Sequence, residues 1–256
     1  MKRVYIGNKE LTTIATVTNG GGGGDDTQKW VDYFNGTLTE FTVPEGVTKI
    51  RNNAFSDYKN LTSVTISNSV ISIGTYAFYD CSTLQSINIP DGVTEIGGSA
   101  FNSCSKLTGI TIPNSVKSIG GNAFFNCSSL TGITIPDSVT SIGEQTFREC
   151  SKLTGITLSD SVTSIGRYAF YNCSKLTGIT IPNGVTNIGD HTFQNCNSLA
   201  TVTIQNSTSK LGYSSNAFAN IASTAKLYVP SNLLSDYQAD SNWSNAFKGG
   251  IFAIPT

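Results

Sequence analysis

Charged side chains are scarce in this chain, and their scarcity excludes several classes of protein. Only 13% of the 256 residues are charged, against about a quarter in an ordinary soluble domain, and the formal net charge is −1. No block of Lys and Arg is present to neutralise phosphates, so nucleic-acid binding is not expected. No apolar run approaches the roughly 20 residues that cross a bilayer, so membrane insertion is not expected either.

Side chains that carry catalysis or bind metals are equally sparse. The single histidine, His191, has no serine, cysteine or carboxylate partner in a recognisable order, so we interpret it as a surface residue. No Cys-x-x-Cys pair exists, which removes the commonest zinc pattern. No glycine-rich phosphate loop separates a strand from a helix, and the acidic residues are scattered. The sequence therefore predicts no enzyme, no cofactor and no metal site.

What the chain does have is a repeat of 23 residues. A fixed period of this length is typical of a solenoid, in which each coil contacts only its neighbours. Three residue types mark the period. They are the cysteines Cys81, Cys104, Cys127, Cys150, Cys173 and Cys196, the phenylalanines Phe55, Phe78, Phe101, Phe124, Phe147, Phe170 and Phe193, and the leucines Leu61, Leu84, Leu107, Leu130, Leu153, Leu176 and Leu199.

The repeat unit from Leu107 to Ser129 shows how one coil should fold. Ile110 and Ile112 alternate with Thr111, which predicts a short strand that Pro113 ends. Nine copies of this strand are visible along the chain. Stacked copies should form a parallel sheet with like residues in columns.

The second half of the same unit predicts a second extended piece, followed by a turn and a short helical turn. Val116 and Ile119 are inward anchors of a second extended piece. Gly120 is expected to supply a turn with positive φ, because glycine adopts that conformation at no steric cost. Ala123 and Phe124 should then begin a short helical turn that buries the ring and the following cysteine.

The decay of the repeat at both ends divides the chain into five segments. We predict a small β element at 1–18, a glycine-rich linker at 19–26 and an N-terminal cap at 27–37. The repeats then occupy 38–230, and residues 231–256 form a C-terminal cap. Both caps are rich in aromatic residues, which can cover the open ends of a stack.

The repeat consensus is Leu-x-x-Ile-x-Ile-Pro-x-x-Val-x-x-Ile-Gly-x-x-Ala-Phe-x-x-Cys-x-x, and it resembles the BspA-like leucine-rich repeat over about residues 38–230. The resemblance implies a β-rich solenoid: a right-handed coil with a parallel β-sheet and short helical or 3-10 turns, capped at both ends. It also implies a non-enzymatic adhesion module at a bacterial cell surface, which presents an extended surface to protein or glycan on a host or other cell. It brings no catalytic residues.

The N-terminus supports a second resemblance. The strand motif at 4–7, followed by a glycine-rich linker and repeats, is similar to accessory proteins of gut-phage tails. That similarity implies the alternative function, a phage tail, virion accessory or receptor-binding protein of the same architecture. The first residues do not read as a secretory signal, because Lys9 and Glu10 interrupt any apolar core. Export by another route, removal of a signal and action at the place of synthesis are the three explanations left open.

Two columns of the repeat have both a structural and a functional interpretation. We interpret the cysteines as a ladder of buried free thiols, with disulfides between neighbouring coils as the alternative. A row of threonines should face outward as strand formers on a solvated surface, with an ice-binding surface as the alternative. The row consists of Thr42, Thr65, Thr111, Thr134, Thr157, Thr180 and Thr203.

A stripe of aromatic residues forms the candidate ligand-contact surface. Tyr79, Phe125 and Tyr171 share one repeat position, and Tyr76 and Tyr168 stand three residues before the two tyrosines. Exposed aromatic side chains are typical anchors of interfaces, and their rings can stack on sugars. The alternative is that the five rings lean on neighbouring coils and cover the phenylalanine column.

Overall fold

The computed structural model describes Tyr5–Ile6, Lys9–Glu10, residues 37–214 and residues 216–255. Near the N-terminus, strand β1 (Tyr5–Ile6) pairs antiparallel with β2 (Lys9–Glu10). The predicted linker at 19–26 lies outside the described residues, as do the rest of the β element at 1–18 and all but the last residue of the predicted N-terminal cap.

From residue 37 the chain winds into a stack of coils, and most coils contribute two short strands. In chain order these are β3 (Glu40–Thr42), β4 (Lys49–Ile50), β5 (Ser63–Thr65), β6 (Ser72–Ile73), β7 (Ser86–Asn88), β8 (Glu95–Ile96), β9 (Ser118–Ile119), β10 (Gly132–Thr134), β11 (Ser141–Ile142), β12 (Gly155–Thr157), β13 (Ser164–Ile165), β14 (Gly178–Ile181), β15 (Asn187–Ile188), β16 (Thr201–Ile204), β17 (Gly212–Tyr213), β18 (Lys226–Val229) and β19 (Ile251–Ala253).

The strands form two rows that run the length of the stack. The face row contains β3, β5, β7, β10, β12, β14, β16, β18 and β19, and the second row contains the other strands from β4 to β17. Pairing within each row is parallel and, for most strands, in register with the 23-residue period, so Ile133 lies beside Ile156 and Ile142 beside Ile165. A constant period leaves no register shift between coils, which is why like residues form columns. The predicted fold class is confirmed.

One predicted strand is absent. Between Thr108 and Pro113, in the coil that defined the repeat unit, the structure has no strand. Ile110 and Ile112 are nonetheless buried and Thr111 is exposed. Side-chain packing therefore preserves the alternation where backbone pairing is lost. The missing strand separates β7 from β10, and a second break between β12 and β14 leaves the face row in pieces of three, two and four strands. The ninth strand of the row, β19, comes instead from the C-terminal segment, where no strand was predicted.

The wide turn after each second-row strand does not grow into a helix, because its N–H groups alternate between partners. Phe125 N donates to Asn122 O within the turn (3.0 Å), whereas Phe124 N and Asn126 N donate to Thr146 O and Arg148 O of the next coil (3.0 and 2.8 Å). The bonds within the turn span three residues, the spacing of a 3-10 helix. The expected helical turn is thus a succession of 3-10-type turns, whose alternate N–H groups bond to the next coil.

The role predicted for Gly120 is wrong. Positive φ occurs at Asn122 (58°) and Asn126 (55°), and Gly120 is not among the positive-φ residues. Glycine is required instead because neighbouring coils approach closely. At the equivalent Gly166 and Gly189, an added Cβ would lie only 2.8 and 2.7 Å from a backbone nitrogen of the preceding coil. A larger residue in this column would push two coils apart.

The core consists of side-chain columns rather than one globular centre. Phenylalanine rings from Phe55 to Phe218 stack nearly parallel, with ring centroids 5.1–5.5 Å apart. All six cysteines are free and buried. Each thiol donates a hydrogen bond to the phenylalanine carbonyl of the preceding coil, over 2.9–3.2 Å. Burial raises the pKa of every thiol, to about 12 for Cys81, Cys150 and Cys196.

Short helices close the C-terminal end of the stack. A 3-10 helix (Ser231–Leu233) leads into α1 (Leu234–Ala239) and α2 (Ser241–Ala246), whose N-terminus is capped by the carboxylate of Asp240. Trp243 and Phe247 are buried against Phe218, the last ring of the column. No helix in the described residues is long and apolar enough to cross a membrane.

Candidate functional site

A groove of about 790 Å³ runs along the face row across five coils. None of its lining residues carries a charge, and most of them are threonine, isoleucine or glycine. They are Ile110, Thr111, Ile112, Asn114, Gly132, Ile133, Thr134, Pro136, Thr154, Gly155, Ile156, Thr157, Thr177, Gly178, Ile179, Thr180, Thr201 and Thr203. The central part of the predicted threonine row therefore lies on the wall of this groove.

Small residues keep the groove open. Gly132 pairs with Gly155 across β10 and β12, and a Cβ added to Gly155 would meet no atom within 4 Å. Thr134, Thr157 and Thr180 are exposed, and within the described residues their hydroxyl groups make no hydrogen bond to the protein. Hydroxyl groups are thus presented to solvent along an uncharged groove.

A second row of hydroxyl groups in the groove stabilises the coils themselves. Thr154 Oγ1 donates to Thr131 O (2.9 Å), and Thr177 Oγ1 donates to Thr154 O (3.1 Å). These hydroxyl groups donate to backbone carbonyls of the preceding coil, whereas the exposed hydroxyl groups of the threonine row make no such bond in the described part of the chain. The groove therefore contains one row of hydroxyl groups that holds the coils together and one row that is exposed to solvent.

The predicted aromatic stripe falls into two parts that differ in their surroundings. Tyr76 and Tyr79 meet edge to face, with centroids 5.5 Å apart, and Tyr76 is 43% exposed. They lie beside a surface depression of about 480 Å³, here called the lateral depression. Its lining residues are Asn53, Ser56, Asp57, Tyr76, Tyr79, Ser99, Asn102 and Asn122.

The other three rings surround an arginine, in what we call the aromatic cluster. The guanidinium carbon of Arg148 lies 5.4 Å from the ring centroids of Phe125 and Tyr168 and 5.0 Å from that of Tyr171. Arg148 Nη1 also donates to Gln145 Oε1 (3.1 Å). Cation–π attraction of this kind holds rings and cation together.

Polar neighbours complete the aromatic cluster. Tyr168 stacks on His191 with centroids 4.7 Å apart, and the guanidinium of Arg167 lies 4.7 Å from the Tyr168 ring. His191 has a carboxylate partner that the sequence did not suggest, since its Nε2 lies 3.1 Å from Asp190 Oδ2. The histidine is only partly exposed, so its interpretation as a surface residue is incomplete.

A ladder of amides runs beside the aromatic cluster. Asn172 Nδ2 donates to both carboxylate oxygens of Glu149 (3.0 Å), Asn195 Nδ2 to Asn172 Oδ1 (2.7 Å) and Asn220 Nδ2 to Asn195 Oδ1 (2.8 Å). Within the described residues, the one buried side-chain nitrogen or oxygen without a hydrogen bond is Arg148 Nε, which lies 3.8 Å from Glu149 Oε1. Apart from this nitrogen, the polar groups named here have partners within the cluster and the amide ladder, which favours the structural interpretation of Phe125, Tyr168 and Tyr171.

The asparagines of the lateral depression were missed by the sequence interpretation. Asn53 and Asn122 occupy the same repeat position as Tyr76, and all three have φ between 57° and 59°. Asn tolerates this left-handed conformation better than most residues. The recurrence of Asn, Asp and Ser around the Ala-Phe pair was the signal that could have revealed them.

In the described residues, no group of three or more His, Cys, Asp or Glu side chains is placed to hold a metal ion. The two surfaces offer recognition groups instead: hydroxyl groups and backbone in the groove, rings and amides in the lateral depression. Neither set of lining residues contains an arrangement of nucleophile and base.

Comparisons with known proteins agree with this architecture. The family model of the BspA type leucine rich repeat region, in six copies, matches residues 32–154 and 117–239. A leucine-rich repeat protein from Bacteroides ovatus is 25% identical, with a TM-score of 0.61 over 85% of this chain. The chain spans 66% of that protein's length.

A leucine rich cell surface protein from Faecalibacterium prausnitzii is also 25% identical. That match has a TM-score of 0.50 and covers 85% of this chain and 88% of the other. No curated protein matches the chain. Because the family model covers well over half of the residues and the stacked coils show the same architecture, the chain belongs to the BspA type leucine-rich repeat family.

Proposed function

We propose that this chain is a non-enzymatic binding module of a bacterial cell surface, and that the groove of the face row contacts protein or glycan on another cell. Two observations support the general assignment. Proteins of this repeat family are often involved in binding or surface interactions, and the relative from Faecalibacterium prausnitzii is a cell surface protein.

The groove is the observation that carries the proposal. Its volume of about 790 Å³ falls within the range typical of ligand sites, but it runs along several coils rather than closing around a small molecule. Its lining contains no charged residue and no cysteine or histidine. Such a surface suits an extended, uncharged segment that exchanges hydrogen bonds with the exposed threonine hydroxyls.

The absence of charge in the lining sets an expectation for the interaction. Electrostatic contacts weaken with salt, whereas hydrogen bonds and apolar contacts in an uncharged groove are much less sensitive. Adhesion through the groove should therefore survive at about 0.5 M salt, where the screening length is only about 4 Å.

A substitution at Gly155 tests the role of the groove. Gly155→Arg places a long side chain into the groove, and the coil need not shift, because a Cβ at this position would meet no atom within 4 Å. Labelled protein should bind cultured epithelial cells saturably, and Gly155→Arg should weaken that binding at least tenfold. Thr140→Arg, an exposed position outside the groove lining, is the matched control and should bind like the parent. Equal binding by all three proteins would exclude the groove, and a parent that binds no cell would reject the adhesion proposal.

The alternative, a phage tail or virion accessory protein of the same architecture, is distinguished by where the protein is found. A surface module should be labelled by antibody on intact bacteria. A virion protein should co-purify with phage particles through a density gradient and be absent from the bacterial surface.

A further inference from the structure

The lateral depression is a second site, and it shares no lining residue with the groove. It crosses four successive coils. Asn53, Ser56 and Asp57 come from the first, the tyrosine pair from the second, Ser99 and Asn102 from the third and Asn122 from the fourth. Its volume of about 480 Å³ is within the usual range for a small ligand.

The tyrosine pair gives the depression an accessible aromatic surface. Tyr76 is 43% exposed, and within the described residues no cation lies over either ring. Tyr168, at the same repeat position, is instead covered by Arg148, Arg167 and His191. A ring that is held edge to face by one neighbour keeps a face free for a ligand.

The backbone conformation at Tyr76 is set by the coil, because φ is positive at the same repeat position in the other coils, as at Asn53, Asn122 and Tyr168. The φ of 57° at Tyr76 lies in the left-handed region, which is unfavourable for a bulky residue. Asn53 and Asn122 fill the equivalent positions with a residue that tolerates this conformation. The hydrogen bond from Tyr76 N to Gly98 O (3.0 Å) holds the backbone in place. Asn can therefore replace Tyr76 without disturbing the coil.

Most amides of the depression retain unused hydrogen-bonding groups. In the described residues, the side chains of Asn53, Ser99 and Asn122 make no hydrogen bond, and Asn102 uses only its oxygen, which accepts from Ser103 Oγ (2.9 Å). Each free amide offers two donors and an acceptor. These groups can exchange water for the hydroxyl groups of a ligand.

The charged side chains in and beside the lateral depression indicate which class of ligand it can bind. Asp57 is the one charged residue in the lining, and its neighbour Lys59 is paired with Asp80 (3.0 Å). A carboxylate accepts hydrogen bonds from hydroxyl groups but repels anions. The lining therefore favours a neutral ligand rich in hydroxyl groups over a sialylated, sulfated or uronic-acid ligand.

We propose that the lateral depression binds a short neutral oligosaccharide. The apolar face of one sugar ring stacks on the tyrosine pair. The amides of Asn53, Asn102 and Asn122 and the carboxylate of Asp57 bind the hydroxyl groups of that ring and the next.

The experiment is a calorimetric titration of the full chain with cellohexaose, maltohexaose, mannohexaose and, as the acidic counterpart, hexagalacturonic acid. At least one neutral probe should bind with a millimolar or lower Kd, and hexagalacturonic acid should bind at least tenfold more weakly. Tyr76→Asn should reduce binding of the neutral probe at least tenfold, in a protein that folds as well as the parent because Asn suits this backbone. Tyr168→Asn, at the same repeat position in the aromatic cluster, should bind like the parent.

Three results would overturn the proposal: no binding of any neutral probe at millimolar concentration, stronger binding of the acidic probe, or equal loss in both tyrosine variants. The outcome is independent of the groove. Gly155→Arg should leave oligosaccharide binding unchanged, and Tyr76→Asn should leave cell adhesion through the groove intact, so that the failure of one proposal is recognisable beside the other.

Discussion

The lateral depression and the aromatic cluster occupy equivalent repeat positions but treat their side chains in opposite ways. In the aromatic cluster, Arg148 contacts three rings and Glu149 accepts from Asn172, so that nearly every group has a partner. In the lateral depression, Asn53 and Asn122 have no side-chain partner in the described protein and Tyr76 is exposed. A repeat scaffold places both sets equally well, so only the neighbouring side chains decide whether a surface stabilises the coil or remains free to bind.

The largest expected effect is a loss of stability at high pH, and it tests whether the lateral depression and the aromatic cluster depend on one shared core. The six buried thiols have a raised pKa, so the unfolded chain loses thiol protons first as the pH rises above 9. Their stabilisation is complete below pH 9 and is lost above it. Each thiol should cost about 1.4 kcal/mol of unfolding free energy at pH 10, or about 8 kcal/mol for the whole column.

Thermal melts from pH 7.5 to pH 10.5 measure this loss. The melting temperature should fall steeply above pH 9. The spectroscopic signals of the tyrosines in the lateral depression and in the aromatic cluster should be lost in the same unfolding transition. Cys127→Ala should reduce the pH-dependent loss of stability by about one sixth, because one of the six thiols is removed. A flat profile would mean that the thiols are solvated or already oxidised.

The second prediction separates the two regions. Phe124 stacks between Phe101 and Phe147, in the coil that joins the lateral depression to the aromatic cluster. Phe124→Ala should cost about 3–5 kcal/mol and, because coils interact only with neighbours, should split the melt into two steps. Hydrogen exchange should show that residues on the two sides open separately. A single unchanged transition would contradict the nearest-neighbour description.

The third prediction concerns the cation at the centre of the aromatic cluster. Arg148→Ala removes contacts with three partly exposed rings and should lower the unfolding free energy by about 1–2 kcal/mol, measured by urea denaturation. Lys59→Ala is the counterpart beside the lateral depression, where an exposed lysine pairs with Asp80, and it should change the urea midpoint little. Equal effects would show that the two regions are stabilised alike.

The smallest effect compares the two tyrosines at φ near 57°. Tyr76→Asn relieves backbone strain and loses one ring contact, so the unfolding free energy should rise by up to about 1 kcal/mol. Tyr168→Asn relieves the same strain but loses contacts with two arginines and His191. The unfolding free energy of this variant should therefore fall by about 1 kcal/mol. Opposite signs in the urea series would confirm the comparison, and like signs would break it.

The columns could be predicted from the sequence because they depend on spacing alone. Phe124 lies beside Phe101 and Phe147 simply because 23 residues separate them along a regular coil. The glycine column was recognised for the wrong reason: the sequence shows that Gly120 recurs, but only neighbouring coils show that the space beside it is already occupied. The absence of a strand at 109–111 could not be predicted in this way, because that coil has the same spacing and apolar pattern as its neighbours.

For this chain, the period and the apolar pattern alone determined a stack of coils with buried phenylalanine and cysteine columns. The tertiary structure decided which surface groups find partners. Glu149 meets Asn172 and Arg148 meets Tyr168 only across coils, over distances set by side-chain length and rotamer. A regular repeat determines which backbone positions are adjacent, but hydrogen bonds and ring contacts depend on the particular side chains that vary from one coil to the next.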